Sequence, residues 1–225
     1  TFSMKKNIFE KGFTLIELIV VIAVFLFVVG TAVGIFISIV RHQRIILSEQ
    51  ELLNQTSFAL EHMSKALRMA GKDLTGECLG GQDYARYNYL LTHKNPSTGF
   101  YEGIKFINQS DINEKTGKAV CQEFYLDIDD SDPEYIITVL KEIKDDGPWV
   151  ALTSDKFTIN FIRFGINGEN GSSDDPIGAA GDNGIQPRVT IYLDIQTKIK
   201  GVDGQLVQPA KKIQTTISQR DLNVQ

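Results

Sequence analysis

Residues 11–24 read Lys11-Gly12-Phe13-Thr14-Leu15-Ile16-Glu17-Leu18-Ile19-Val20-Val21-Ile22-Ala23-Val24, and from Phe13 to Val40 the chain holds one acid, Glu17, and no base. At 1.5 Å per residue these 28 positions make a helix of about 42 Å, longer than the ~30 Å hydrocarbon core of a bilayer, so the run predicts a membrane span. Before it, Lys5, Lys6 and Lys11 stand against Glu10; after it come Arg41, His42 and Arg44. The basic N-terminal flank assigns the short N-terminus to the cytoplasm and the C-terminal bulk to the outside, with the far-side arginines opposing that orientation. The three residues before Met4 read as an upstream extension of the reading frame.

Working outward, the 225 residues leave room for one ordinary domain beyond this segment, and an apolar content of 42% excludes disorder of the whole chain. A net charge of −5 offers no bulk attraction for nucleic acid or anionic lipid.

A conventional secretory signal places its small-residue cleavage site after the apolar stretch. Here the candidate glycine, Gly12, comes before it, so the apolar run is retained as an anchor. The string from Lys11 to Val24 resembles the class III signal of type IV pilins and type II secretion pseudopilins. That resemblance implies cleavage between Gly12 and Phe13 by a prepilin peptidase, a membrane aspartyl protease, and N-methylation of the new Phe13 amine.

Glu17 also has a reading of its own. A carboxylate on a spanning helix costs about 2.5–3.5 kcal/mol on insertion scales and is normally retained for a partner or a function. In a pilin-like filament that partner is the Phe13 amine of a neighbouring subunit, which makes Glu17 an assembly residue; hydration at the membrane interface is the alternative. Gly30 and Gly34 form a G-x-x-x-G pair, which lets helices approach closely or, as the resemblance implies, marks where the helix loosens on entering a filament; passive lipid exposure is the alternative.

Residues 41–70 contain no Gly or Pro, and Ile46, Leu53, Leu60 and Leu67 recur with Thr56, Met63 and Ala70 between them. This periodicity predicts one helix from Phe13 to about Ala70, stopped by Gly71, with Ile46 toward other subunits and Leu60 to Leu67 covering a sheet. Glu49 and Thr56 at core positions argue against a coiled coil. Beyond Gly71, runs rich in Ile, Val, Thr, Phe and Tyr predict strands at 104–107, 123–128, 135–140, 156–164, 188–197 and 211–218. The last two flank Gly201-Val202-Asp203-Gly204, a hairpin tip.

The expected fold is α+β, a long N-terminal α-helix packed on a C-terminal antiparallel β-sheet head. Its divisions are a leader (1–12), a transmembrane helix (13–40), an amphipathic continuation (41–71) and a globular head (72–225). The helix end at 58–71 followed by Cys78 resembles W-type minor pilins. The ending Thr215-Thr216-Ile217-Ser218-Gln219-Arg220-Asp221-Leu222 is similar to J-type minor pseudopilins and W-type subunits.

Cys78 and Cys121 fall in the outward head, where oxidising conditions favour a disulfide; two buried thiols are the alternative. The acids Asp127, Asp129, Asp130, Asp132 and Glu134 lack the glycine and terminal acid of an EF-hand loop, and Glu169, Asp174, Asp175 and Asp182 lie in a Gly-rich stretch. Solvated acidic loops are the preferred reading of both, and no metal or cofactor is expected. His42 and His62 on the helix and His93 on a loop belong to no nucleophile or zinc motif, so no catalytic residue is assigned and no enzyme is expected. Tyr84, Tyr87 and Tyr89 with Arg86 could stack on single-stranded DNA, although a half-buried strand or loop explains them better.

The expected role is a structural minor pilin or pseudopilin with prepilin peptidase, other pilin or pseudopilin subunits and the membrane as partners. An anchored adhesin or a DNA-uptake subunit is the alternative, with nucleic acid disfavoured. The expected location is a single-pass inner or cytoplasmic membrane protein with an extracytoplasmic head, exposed on a filament or the cell surface after assembly.

Overall fold

The computed structural model describes residues 12–129, 137–168, 186–197 and 210–220. One helix, α1 (Leu15–Arg68), is followed by β1 (Ala70–Gly71), a 3-10 turn (Gln82–Tyr84), β2 (Tyr89–Lys94), β3 (Tyr101–Ile112), β4 (Ala119–Asp129), β5 (Ile137–Lys144), β6 (Val150–Ala151), β7 (Phe157–Asn167), β8 (Arg188–Thr197) and β9 (Ala210–Ser218). The chain divides into two compact units, Thr1–Ile46 and Leu47–Gln225.

In the first unit the helix is apolar on every face from Leu15 to Val40, and among the unit's described residues none is buried. A helix with no polar side has no aqueous face to present. It is long and apolar enough to cross a membrane.

In the second unit the strands form one antiparallel sheet of order β6-β5-β4-β3-β7-β8-β9, with β1 and β2 also paired to β3. Strands β3, β4 and β5 make one meander and β7, β8 and β9 another; a single pair, Tyr101↔Phe164, joins β3 to β7. The core gathers Ile104, Phe106 and Phe124 from the first meander with Ile162, Ile191 and Leu193 from the second. The helix lays Leu52, Thr56, Ala59, Met63, Ala66 and Leu67 into that core.

The α+β architecture agrees with the sequence reading, and several details differ. The buried stripe keeps Thr56, Met63, Leu67 and Ala70 of the expected series but departs from it elsewhere: Leu53 is 41% exposed and Leu60 only partly buried, whereas Leu52 and Ala59 are fully covered. A 3.6-residue helix drifts about 20° per heptad against a fixed seven-residue spacing, so the sheet contacts steps of three and four instead. The helix ends at Arg68, before Gly71, because Gly71 is claimed by β1 opposite Ile107. A Cβ on Gly71 would lie 2.0 Å from the exposed Gln109 side chain, which would have to swing aside to admit it.

Strand β8 has the expected bounds, while β3, β4 and β7 run longer because cross-strand pairing carries them past their apolar runs. His93 is on β2, not a loop, with φ of 53°. That strand is defined by pairing with β3, which local composition does not report. The hairpin tip, the 169–182 acids and the start of the 135–140 strand lie outside the described residues.

Candidate functional site

The N-terminal junction is built from local chemistry. Phe13 is 78% exposed, and nothing lies within 4 Å of where a Cβ on Gly12 would stand. Thr14 precedes the helix, and its Oγ1 accepts the Glu17 N–H at 3.3 Å while its carbonyl accepts the Leu18 N–H at 3.2 Å. Thr14-Leu15-Ile16-Glu17 is thus the Ser/Thr-x-x-Glu string of a capping box, with Thr14 satisfying one of the otherwise unpaired first-turn donors. Thr14 was not singled out from sequence, although the four-residue spacing carries the signal. The acidic Glu17 in the first turn also complements the positive end of the helix dipole.

Within the apolar stretch, polar side chains turn back onto their own helix: the Thr31 Oγ1 donates to the Val28 carbonyl at 2.8 Å, and His42 Nδ1 lies 2.9 Å from the Ser38 carbonyl. Gly30 and Gly34 sit in unbroken helix with open space around both.

In the second unit, Cys78 and Cys121 are joined by a disulfide with Cα atoms 5.5 Å apart. It clamps the 72–88 loop onto β4. The loop is organised from inside by Asp73, 1% exposed, whose carboxylate accepts the N–H groups of Gly76 at 2.8 Å and of Cys78 and Leu79 at 2.9 Å. Gly76 has φ of 75°, and a Cβ there would meet the Gly81 carbonyl oxygen at 2.0 Å, so this turn accepts only glycine. Asp73 has no distinguishing sequence signal; its role arises from the turn that wraps it.

The tyrosines divide. Tyr89 is fully buried and its hydroxyl donates to the Leu67 carbonyl at 2.6 Å; Tyr87 is 7% exposed and meets Tyr84 edge-on. Burial pushes the Tyr89 hydroxyl well above the usual phenol range. These rings pack the helix end and the disulfide loop, as the half-buried reading holds, and leave no pair of free faces for bases.

The histidines are spread out. His62 lies 3.0 Å from Glu142, whose other oxygen meets Gln122, and Gln122 in turn accepts from Asn108 at 2.8 Å. His93 stacks on Tyr125 at 4.6 Å and sits 3.2 Å from Glu123. The Glu123 hydrogen bond holds the His93 pKa above the ordinary imidazole value against the opposing pull of burial. Burial pushes the Glu123 carboxyl up, but the hydrogen bonds from His93 and Thr92 outweigh it and hold the group below the ordinary carboxylate value. Of the first acidic cluster, Asp127 pairs with Lys141 at 2.8 Å, which lowers its pKa. Asp130, Asp132 and Glu134 and the side chain of Asp129 lie outside the described residues. Among the described residues no three potential metal ligands converge.

The N-terminal junction has a counterpart among known proteins. A family model, the prokaryotic N-terminal methylation motif, matches residues 9–33. No curated protein and no solved structure matches the chain. The matched residues span the glycine, the capped first turn with Glu17 and the first part of the apolar helix, so the chain carries the N-terminal methylation signal of the type IV pilin kind.

Proposed function

We propose that the chain is a structural, non-enzymatic minor pilin or pseudopilin that enters or primes a type IV pilus-like or type II secretion filament. The observation that carries this reading is the methylation motif set on a capped helix whose apolar run holds the single acid Glu17. In this reading 1–12 is the leader, 13–40 the span, 41–71 its amphipathic continuation and 72–225 the head, which is extracytoplasmic by the basic flank. Gly12 lets the peptidase approach the scissile backbone, and Phe13 becomes the methylated N-terminus. Glu17, desolvated in lipid, pairs with the Phe13 amine of an adjacent subunit, and methylation leaves that charge in place. Gly30 and Gly34 are where the helix loosens in the assembled state, since glycine costs about 1 kcal/mol of helix stability per position. The minor role rests on the resemblance at 58–78 and 215–222. The DNA-uptake alternative has lost the tyrosine cluster that motivated it.

The test is made in cells with a prepilin peptidase. Mass spectrometry should find a chain beginning at Phe13 with one added methyl group, and Glu17→Leu should be cleaved and inserted yet poorly incorporated into filaments. A mature chain that retains Gly12 defeats the reading, and normal incorporation of Glu17→Leu shows that the carboxylate is not the docking element.

A further inference from the structure

An open cavity of about 960 Å³ lies where the end of α1 meets the ends of β3 and β9. Lys65, Arg68 and Arg220 line it together with the hydroxyls of Ser64 and Ser218 and one acid, Glu61. On a chain of net charge −5, three cations against one acid is a local reversal of sign. The ordinary explanation of cations at a helix end is that they serve its last carbonyls and the negative end of the dipole.

That explanation is already used up. The Leu67 carbonyl accepts the Tyr89 hydroxyl at 2.6 Å, Arg68 the Arg220 N–H at 2.8 Å, Met69 the Gln109 N–H at 3.0 Å, and Ala70 the Gln219 side-chain amide at 2.6 Å. The sheet has satisfied the helix end, which leaves the cationic side chains without that task. Among the described residues none of the three forms an ion pair, and Glu61 makes none with them. The Arg220 N–H to Arg68 carbonyl bond joins the two backbones at the cavity, and both arginines line it.

We propose that this cavity binds a phosphate dianion, free or as a terminal phosphomonoester. Two guanidinium groups offer paired N–H donors to phosphate oxygens, Lys65 adds a point charge, and Ser64 and Ser218 supply hydroxyl donors. The net excess of two positive charges over Glu61 matches a dianion rather than a single carboxylate. The inference is independent of the filament reading, because it uses only residues of the second unit.

The full-length chain in nonionic detergent is titrated with inorganic phosphate at slightly alkaline pH by calorimetry, and in a second arm with glycerol 3-phosphate. Saturable one-to-one binding is expected, weakened about tenfold or more by Arg68→Gln or Arg220→Gln and lost when Lys65→Gln is added to both. Lys118→Gln, which removes a cation from a different cavity, should bind as the unmodified chain does. Tighter binding of glycerol 3-phosphate assigns a monoester, and equal binding assigns the free ion. Absence of saturable binding, or unchanged affinity in a folded triple variant, overturns the proposal. So would binding that appears only in Asp221→Asn, because the chain's own acid would then occupy the cavity.

Discussion

Residues 12–46 and residues 47–68 belong to one helix yet follow opposite rules. In the first stretch Phe25, Phe27 and Phe36 are more than 60% exposed, and from Leu15 to Val40 no face is polar. In the second, Ser48 and Thr56 are buried beside Leu52 while Leu47 and Phe58 are about 60% exposed. Hydrophobicity alone therefore orders the residues correctly in neither stretch. The first is selected for a solvent that is apolar all round, where each side chain acts independently. The second is selected for fit against a sheet, where a small or hydroxyl-bearing residue that lets the helix approach serves better than a leucine. Thr56 shows how: its hydroxyl donates to the Leu52 carbonyl at 2.7 Å, so it enters the core with its polar atom satisfied.

The largest test of this contrast removes the disulfide. Closing a loop with a sequence separation of 43 is worth about 4 kcal/mol on chain-entropy grounds. A Cys78→Ser/Cys121→Ser chain should lose about that much head stability, read from urea unfolding by the fluorescence of Trp149, the only tryptophan. Its membrane insertion should be untouched. Unmodified chain should also run faster on non-reducing electrophoresis than after reduction; equal mobility, with two alkylatable thiols, would rule the bridge out.

A sharper form compares two large-to-small changes. Leu67→Ala empties a fully buried core position and should cost about 3 kcal/mol in the same urea assay. Ile22→Ala, on the apolar stretch, should leave the head transition where it was. A shared shift would mean that the two stretches are not governed by separate solvents.

The smallest effect is one of pH. His93 has a raised pKa, so its contribution is present below the ordinary imidazole pKa of 6.5 and is lost as pH rises through the higher folded value. Glu123 has a lowered pKa, so its contribution is present above 4.5 and is lost as pH falls through the lower folded value. Both operate together between 4.5 and 6.5. A double-mutant cycle on His93→Gln and Glu123→Gln should show a coupling there of at most about 1 kcal/mol, because the pair is partly solvated. The coupling should fade on raising the pH well past neutral. A coupling independent of pH would show that a neutral hydrogen bond, not the charge, links the pair.

The apolar membrane-length run, the N-terminal methylation motif, the α+β class and the bounds of β8 were legible from the residues themselves. Each is a local property: twenty-odd apolar side chains choose lipid without reference to any distant residue, and a fully apolar-alternating strand reports its own period. The covered face of 47–68, strand β2, the turn wrapped around Asp73 and the satisfied helix end were decided only by tertiary structure. Those features depend on register between segments far apart in the chain, as when Gln219 reaches the Ala70 carbonyl across 149 residues. No local pattern encodes such a partner, because the free energy that selects it comes from packing and hydrogen bonds that exist only after the sheet has formed.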